Sequence, residues 1–184
     1  MDLIREIAQD ELVNRCRKGD EKAFNEVYNR FAGPMLNSSM RLLNNLPDAE
    51  DMVQEAFADA FSRLDTFVYK SSFQAWLLRI TLNKSLNLLR ERRKLQWTDV
   101  EMTDISDAED AENESSARQY TPGDVKNAIQ LLPENYRVVF NLYAVDNIPH
   151  EEIARMLNIS HNNVRIIYHR AKKKIKEILQ NGLK

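Results

Sequence analysis

Apolar residues recur at helical spacing along most of the chain, and no stretch of any length shows the alternation of a β-strand. The first stripe has the i, i+3, i+4, i+7 spacing of an amphipathic helix and consists of Ala23, Phe24, Val27, Tyr28 and Phe31. Similar stripes run through residues 53–64 and 73–80. The pattern predicts an all-α chain whose first small helical domain comprises residues 1–94.

The sequence Leu46-Pro47-Asp48 predicts the start of one helix of this domain. Asp48 is expected to be its N-cap, because a carboxylate there can accept bonds from the unpaired backbone N–H groups. Glu50 and Asp51 then fall in the first turn, near the positive end of the helix dipole. A later helix is expected from about Ser72 to Arg93.

A segment without helical periodicity follows the first domain. Residues 95–117 contain eight acidic residues and no basic one, so they are predicted to form a flexible linker. The next domain, residues 118–184, starts with Thr121 as a predicted N-cap and Pro122 as the first helical residue. Pro133 opens a helix that is apolar on several faces, which predicts central burial.

Residues 149–180 have the pattern of a helix-turn-helix. A short helix from Pro149 to Leu157 precedes Asn158, a residue type that tolerates the left-handed conformation of a tight corner. Ser160 is placed to cap a long second helix. Its buried stripe is predicted to be Val164, Ile167, Tyr168, Ala171, Ile175 and Ile178, and its opposite side Asn162, Arg165, Ile166, His169, Lys172 and Lys173.

The second helix of this motif has side chains suited to a major groove. Arg165 has the fork that reads guanine, and Asn162 or Asn163 suits adenine. Ile166 is placed to touch a thymine methyl, and the later basic residues are placed to meet phosphates. A helical hairpin inside a protein-interaction domain gives the same pattern, so that alternative stays open here.

A basic helix face and an aromatic loop adjoin in the first domain. The face consists of Arg79, Asn83, Asn87, Arg90 and Lys94, which share one side of a helix, and Arg92 and Arg93 extend its charge. The preceding loop holds Phe67, Tyr69, Lys70, Ser71, Ser72 and Phe73. Such groups suit single-stranded or flipped bases, through stacking and phosphate contact. Two residues have core packing as the alternative to base contact: it stays open for Phe73 and is favoured for Trp76. For Asn83 the alternative to base contact is a side chain that is simply solvated.

Charge changes the picture only when it is resolved by segment. The 184 residues hold 26 Lys+Arg and 28 Asp+Glu, a net charge of −2 that by itself argues against nucleic-acid binding. Residues 70–94 and 150–184, however, carry +6 and +5, while residues 1–69 and 95–117 carry −5 and −8. Because screening confines fields to about 10 Å at 0.1 M salt, a nearly neutral chain can present two separate anion-facing surfaces.

Other function classes find little support in the sequence. The single cysteine, Cys16, excludes an internal disulfide and a cysteine-cluster metal site, and helical spacing predicts its burial. There is no apolar run long enough for a membrane span and no signal-peptide pattern, so a cytoplasmic location is expected. His150, His161 and His169 form no i, i+4 pair, and no glycine-rich phosphate loop is present. No enzyme activity, cofactor, metal or small-molecule substrate is expected.

Two blocks of sequence resemble bacterial sigma factors. Region two of that family is resembled by Asp48-Ala49-Glu50-Asp51-Met52-Val53-Gln54-Glu55-Ala56-Phe57 and by residues 71–83. Region four is resembled by Leu132-Pro133-Glu134-Asn135-Tyr136-Arg137, by Glu151-Glu152-Ile153-Ala154 and by Asn158-Ile159-Ser160. The short acidic linker, with nothing like region three, is similar to the extracytoplasmic-function (ECF) group, and the match spans about residues 10–180.

The resemblance implies a function: binding core RNA polymerase, directing it to promoters and helping to melt DNA. It implies docking on the beta-prime clamp helices by Asp48, Glu50, Asp51, Gln54 and Glu55. It implies minus-ten contacts by Phe67, Tyr69, Lys70, Ser71, Ser72, Phe73, Arg79, Asn83, Asn87, Arg90 and Arg93. It implies minus-thirty-five contacts by Ser160, His161, Asn162, Asn163, Arg165, Ile166, His169, Arg170 and Lys173. The implied partners are the beta-prime and beta subunits, promoter DNA and an anti-sigma factor, and the acidic linker is expected to thread the RNA-exit path.

The chain departs from the family pattern at three places. Val68-Tyr69-Lys70 stands where the family often has Arg-Gly-Asp, and residues 162–167 stand where it often has Gly-Thr-Val-Lys-Ser-Arg. Pro149 replaces the usual N-cap serine. The family's promoter sequences therefore do not carry over to this chain. Two alternatives stay open at this point: a helix-turn-helix repressor or activator that acts without polymerase, and a helical adaptor that binds only proteins.

Overall fold

The computed structural model describes residues 11–68, 71–92 and 120–181. These residues are mostly helical and include no β-strand, which confirms the all-α prediction. The chain divides after Arg92 into two compact units. The predicted linker, residues 95–117, lies outside the described residues.

Within residues 11–68 and 71–92, the first unit shows four helices and a short turn. Residues 11–17 are α1, and they are followed by α2 (Glu21–Leu43), α3 (Leu46–Ser62), a 3₁₀ turn (Leu64–Thr66) and α4 (Phe73–Glu91). Helices α2, α3 and α4 pack against one another in all three pairs. Cys16 lies in the core that they share with α1, as predicted, and burial raises the pKa of its thiol.

The start of α3 differs from the prediction. Asn45, not Asp48, is the N-cap: its side-chain oxygen accepts a bond from the backbone N–H of Asp48 at 3.0 Å. The assignment of Asp48 as the cap was wrong because the helix begins before Pro47 instead of after it. A proline in the first turn loses no hydrogen bond, since the N–H groups there have no intrahelical partner.

Buried hydroxyl groups join α2 to α4. The Oγ atoms of Ser39 and Ser85 are 2.9 Å apart, and both residues are fully buried. Ser85 also donates to the backbone oxygen of Thr81 at 3.0 Å. Because that bond uses the only proton of the Ser85 hydroxyl, Ser39 is the donor in the bond between the two serines.

Over its described residues, 120–181, the second unit contains four helices and a π-helical turn. These are α5 (Pro122–Gln130), α6 (Glu134–Phe140), the turn (Asn141–Val145), α7 (His150–Leu157) and α8 (His161–Asn181). Helix α8 packs against α5, α6 and α7. At the start of α5, Thr121 and Asp124 form the reciprocal bonds of a capping box, which confirms Thr121 as an N-cap.

The segment after Pro133 is buried, as predicted, at most of its apolar positions. Val138, Val139 and Leu142 have no exposed surface. Tyr143 is 38% exposed, so central burial was wrong for this residue. Its ring lies instead against the ring of His150, with centroids 4.0 Å apart.

Candidate nucleic-acid and protein interfaces

The loop before α4 is held at both ends by buried phenylalanines. Phe67 is 3% exposed and Phe73 is 1% exposed, and their rings meet edge to face with centroids 5.6 Å apart. Both rings therefore belong to the core, which confirms the core-packing alternative for Phe73 and leaves neither ring a face that is free to stack on a base. Trp76 packs on both rings, as favoured above.

Between these rings the loop presents a different set of side chains. Val68 is 63% exposed, and Ser71 and Ser72 are half-buried. The hydroxyl of Ser72 accepts a bond from the backbone N–H of Ala75 at 3.2 Å, which caps α4. Three predicted contact residues, Tyr69, Lys70 and Arg93, lie outside the described residues.

The polar face of α4 is exposed as predicted. Arg79, Asn83, Asn87 and Arg90 all present their side chains to solvent. Asn83 and Asn87 are one turn apart, and the guanidinium of Arg90 donates to the Asn87 side-chain oxygen at 2.6 Å. This bond keeps Arg90 and Asn87 together on the same face.

The residues of α3 that are predicted to dock on polymerase divide into two kinds. Glu50, Asp51, Gln54 and Glu55 are exposed, and the carboxylate of Glu55 lies 3.3 Å from the ammonium of Lys84 on α4. Asp48 is more enclosed, and both its oxygens accept bonds from the guanidinium of Arg92. Asp48 thus ties the start of α3 to the end of α4. The other four present a surface of three carboxylates and one amide.

The helix-turn-helix has the predicted corner. Asn158 adopts the left-handed conformation with φ of 55°, and the hydroxyl of Ser160 accepts a bond from the backbone N–H of Asn163 at 3.1 Å. Both local predictions are confirmed. The polar side of the first turns of α8 is exposed.

That polar side is narrower than predicted. The exposed residues of the predicted DNA-contacting set are Ser160, His161, Asn162, Arg165, His169 and Lys173, and Arg170 is half-buried. Ile166 is only 3% exposed and Asn163 is 8% exposed. The placement of Ile166 on the exposed side of α8 was wrong, because its side chain is buried and leaves no surface for a thymine methyl to contact.

A ring cluster at the two helix starts was not foreseen. His150 and His161, the first residues of α7 and α8, have ring centroids 6.0 Å apart. A carboxylate oxygen of Glu151 lies 3.6 Å from Nε2 of His161. Burial, aided by the charges of His161 and Arg165 and opposed by that of Glu151, lowers the pKa of His150. The shared position of these histidines at helix starts was the sequence signal for the cluster.

The described ranges show neither a metal centre nor a membrane span. No group of three or more histidine, cysteine, aspartate or glutamate side chains is placed there to hold a metal ion. No helix in those ranges is both long enough and apolar enough to cross a bilayer. What the described surfaces present is a helix-turn-helix, a polar helix face and an acidic helix face.

Two helical units, one of which contains a helix-turn-helix, are typical of DNA-binding proteins. Similarity to known proteins identifies the family within that class. Sigma-70 region 2 matches residues 27–95, and Sigma-70, region 4 matches residues 123–175. The ECF RNA polymerase sigma-E factor of Escherichia coli (strain K12) is 32% identical over 182 residues, which cover 92% of this chain and 93% of that protein. The ECF RNA polymerase sigma factor SigW of Bacillus subtilis (strain 168) is 26% identical over 179 residues, with 92% and 95% coverage.

Solved structures share the fold. CnrH, solved in complex with the cytosolic domain of CnrY, gives a TM-score of 0.58 at 24% identity and covers 96% of this chain and 99% of that chain. The sigma factor RpoE from Bartonella quintana, solved with the anti-sigma factor NepR, gives 0.56 at 21% identity, with 86% and 98% coverage.

The chain belongs to the family of ECF RNA polymerase sigma factors. It is a subunit that initiates transcription by RNA polymerase.

Proposed function

We propose that α8 reads the minus-thirty-five element while the first unit captures the minus-ten element and docks on core polymerase. The observation that carries the proposal is the exposed side of α8. His161, Asn162, Arg165 and His169 lie on it, directly after the Ser160 cap, and the side opposite packs on three helices. Polar side chains at the N-terminal end of such a helix are those that reach base edges.

The minus-ten contact is assigned to the exposed part of the loop and to α4. Since Phe67 and Phe73 are buried, they act as the loop's anchors, and base contact falls to the residues between them and to Asn83. Phosphate contact falls to Arg79 and Arg90 on the same helix. Stacking and charge together suit a strand whose bases are already unpaired.

Docking on core polymerase is assigned to the acidic face of α3. Its exposed members are Glu50, Asp51, Gln54 and Glu55, and four polar side chains on one helix face suit a basic helical partner. Asp48 supports this face through Arg92 instead of facing a partner. Residues 95–117 are assigned the RNA-exit path because they carry only acidic charge.

Regulation by an anti-sigma factor is part of the proposal. The structure of the similar Bartonella quintana protein holds an anti-sigma factor, and we assign this chain a partner of the same kind. We further propose that the chain works in the cytoplasm and catalyses no reaction itself.

In-vitro transcription tests the proposal. Purified core polymerase from the chain's own host is combined with the chain on a genomic template library, and start sites are mapped by sequencing. We expect start sites that share two sequence elements and that need both components. Tight binding to duplex DNA in the absence of core polymerase would support a repressor instead. If no start site depends on both core polymerase and this chain, the proposal fails.

A further inference from the structure

The ion pair between Glu55 of α3 and Lys84 of α4 is weaker than the pair between Asp48 and Arg92. Both oxygens of Asp48 accept bonds from one guanidinium, and the Asp48 side chain is 16% exposed. Glu55 and Lys84 make a single contact of 3.3 Å, with side chains that are 55% and 31% exposed. Because water screens an exposed pair and an ammonium binds as a point charge, Glu55 and Lys84 can exchange partners easily.

Glu55 belongs to the surface that is proposed to dock on core polymerase. Its carboxylate is already paired with Lys84 in the free chain. A cation of a basic partner that approaches Glu55 therefore meets the ammonium of Lys84 beside it, and like charges repel one another. To bind Glu55 fully, the partner has to displace Lys84.

Lys84 also adjoins the polar face of α4, which is proposed to bind a single DNA strand. It directly follows Asn83, and Asn87 lies three positions further along, so Lys84 and Asn87 are neighbours on the helix surface. The ammonium of a lysine sits on a flexible four-carbon stem. When Glu55 has another partner, this charge is free to turn towards a strand on α4, where phosphates attract it.

We infer that Lys84 couples the two binding surfaces of the first unit by exchanging partners. Core polymerase displaces it from Glu55, and the displaced ammonium then binds phosphates of the single strand on α4. This inference rests on the proposed roles of Glu55 and of the α4 face. Because such coupling is reciprocal, a strand that holds Lys84 also frees Glu55, so each partner strengthens the binding of the other.

Two exposed charges of α2 provide matched controls. Lys22→Gln removes an exposed lysine from a different helix and changes the net charge as Lys84→Gln does. Glu26 pairs with Arg15 at 3.5 Å, and its side chain is 58% exposed. Glu26→Gln therefore breaks an exposed pair and changes the net charge as Glu55→Gln does.

The test measures both surfaces on the full-length chain. Affinity for core polymerase is measured by titration of fluorescently labelled chains, with and without unlabelled oligothymidine. Affinity of each free chain for a fluorescent oligothymidine is measured separately. The variants are Lys84→Gln, Lys84→Arg and Glu55→Gln, together with the two controls, and thermal unfolding of each chain checks that it folds.

We expect Lys84→Gln to bind core polymerase about two- to fivefold more tightly in the absence of oligothymidine, as for the loss of one exposed ion pair. Glu55→Gln should bind core polymerase more weakly. As a free chain it should bind oligothymidine more tightly, because Lys84 is already released. Oligothymidine should strengthen core binding by the unsubstituted chain and by Lys84→Arg, and much less by Lys84→Gln.

Two outcomes would overturn the inference. If Lys84→Gln binds core polymerase no more tightly than Lys22→Gln, Lys84 does not compete for Glu55. If Glu55→Gln binds oligothymidine no more tightly than Glu26→Gln, the displaced ammonium does not serve the strand.

Asp51→Asn separates such a failure from a failure of the proposed function. Asp51 lies on the exposed side of α3. If Asp51→Asn weakens core binding while Lys84→Gln has no effect, the docking surface stands and only the coupling through Lys84 is wrong. If neither Asp51→Asn nor Glu55→Gln weakens core binding, the docking surface itself is wrong.

Discussion

Arg165 is the first arginine or lysine of α8. Adjacent positions on this helix differ in exposure, and exposure determines which of them can contact a base. Arg165 is exposed, whereas its neighbour Ile166 is buried. A rotation of about 100° per residue is enough to separate a candidate base reader from a core residue.

Replacement of Arg165 by alanine should weaken transcription that depends on the minus-thirty-five element. The expected loss is about 1–3 kcal/mol of discrimination at one base pair, because the variant lacks the guanidinium that is proposed to bond a guanine edge. Transcription from a set of promoters with single substitutions in that element measures the change.

Arg155→Ala is the matched control for this change. Arg155 is an exposed arginine on α7 whose side chain donates to the backbone oxygen of Glu151 at 3.4 Å. Its replacement by alanine should leave the base preference of the protein unchanged. An Arg165→Ala protein with the original preference at every position would remove Arg165 from the reading role.

His150 should make the second unit less stable in mild acid. Burial and the charge of His161 lower its pKa in the folded chain, whereas the unfolded chain has the ordinary value near 6.5. The unfolded state therefore binds the proton more readily, and stability falls as the pH drops below about 6.5. Urea titrations at pH 7.5 and 5.5, followed through NMR methyl signals of Val164 and Ile167, measure the difference.

A ring replacement separates titration from packing in that experiment. His150→Phe keeps a ring against Tyr143 but cannot be protonated, so the difference between the two pH values should shrink. His169→Gln removes an exposed histidine outside the cluster and should keep the difference. A pH dependence that persists in His150→Phe would show that another group is responsible.

At the scale of helices, the confirmed predictions are those that depend only on residues close together in the sequence. Thr121 and Ser160 were recognised as caps because a cap depends on residues three positions away. Ile166 was placed on the wrong side of α8 because its burial depends on packing against other parts of the chain, which local spacing does not show. The bond between Ser39 and Ser85 was not foreseen at all, since serines add nothing to a hydrophobic stripe.

Replacement of Ser85 by alanine should destabilise the first unit by about 1–3 kcal/mol, because the buried hydroxyl of Ser39 loses its acceptor. The double variant Ser39→Ala, Ser85→Ala should be less destabilised, since no donor is then left without an acceptor. Urea unfolding followed by the fluorescence of Trp76, in a Trp97→Phe background, measures the free energy of unfolding.

An exposed serine provides the comparison for this experiment. Ser62 bonds the backbone oxygen of Asp59 at the surface, and Ser62→Ala should change the free energy of unfolding by no more than about 0.5 kcal/mol. Equal stability of the single variant Ser85→Ala and the unsubstituted chain would show that the bond contributes nothing.

Over the whole molecule, the fold class was predictable and the long-range contacts were not. Helical periodicity and caps recur in both units, so the all-α architecture and the helix-turn-helix were within reach of the sequence. The contact between Arg17 and Phe67 joins residues 50 positions apart and leaves no periodic signal. The burial of Phe67 was not foreseen, because aromatic residues serve both cores and base stacking, whereas core packing was already the alternative for Phe73.

The distribution of charge predicts a role for residues 95–117. Changing their eight acidic residues to the matching amides should weaken binding to core polymerase and reduce the salt dependence of that binding, because the variant loses the negative charge that is proposed to attract a basic path on the polymerase. Fluorescence anisotropy of labelled chains at two salt concentrations measures both effects.

A scrambled segment is the control for this change. A chain with the same residues of 95–117 in shuffled order keeps the charge and should keep the affinity for core polymerase. If the amide variant binds as tightly as the unsubstituted chain at both salt concentrations, the acidic charge has no part in assembly.

The π-helical turn at Asn141–Val145 has a consequence for how this sequence is aligned with its relatives. Its bond from the N–H of Asp146 to the oxygen of Asn141 spans five residues, one more than an α-helical bond. A relative that closes the same segment with regular α-helical bonds must reach α7 with one residue fewer. A one-residue gap between α6 and α7 therefore marks a change of helix type, with the helix-turn-helix on its far side unchanged in register.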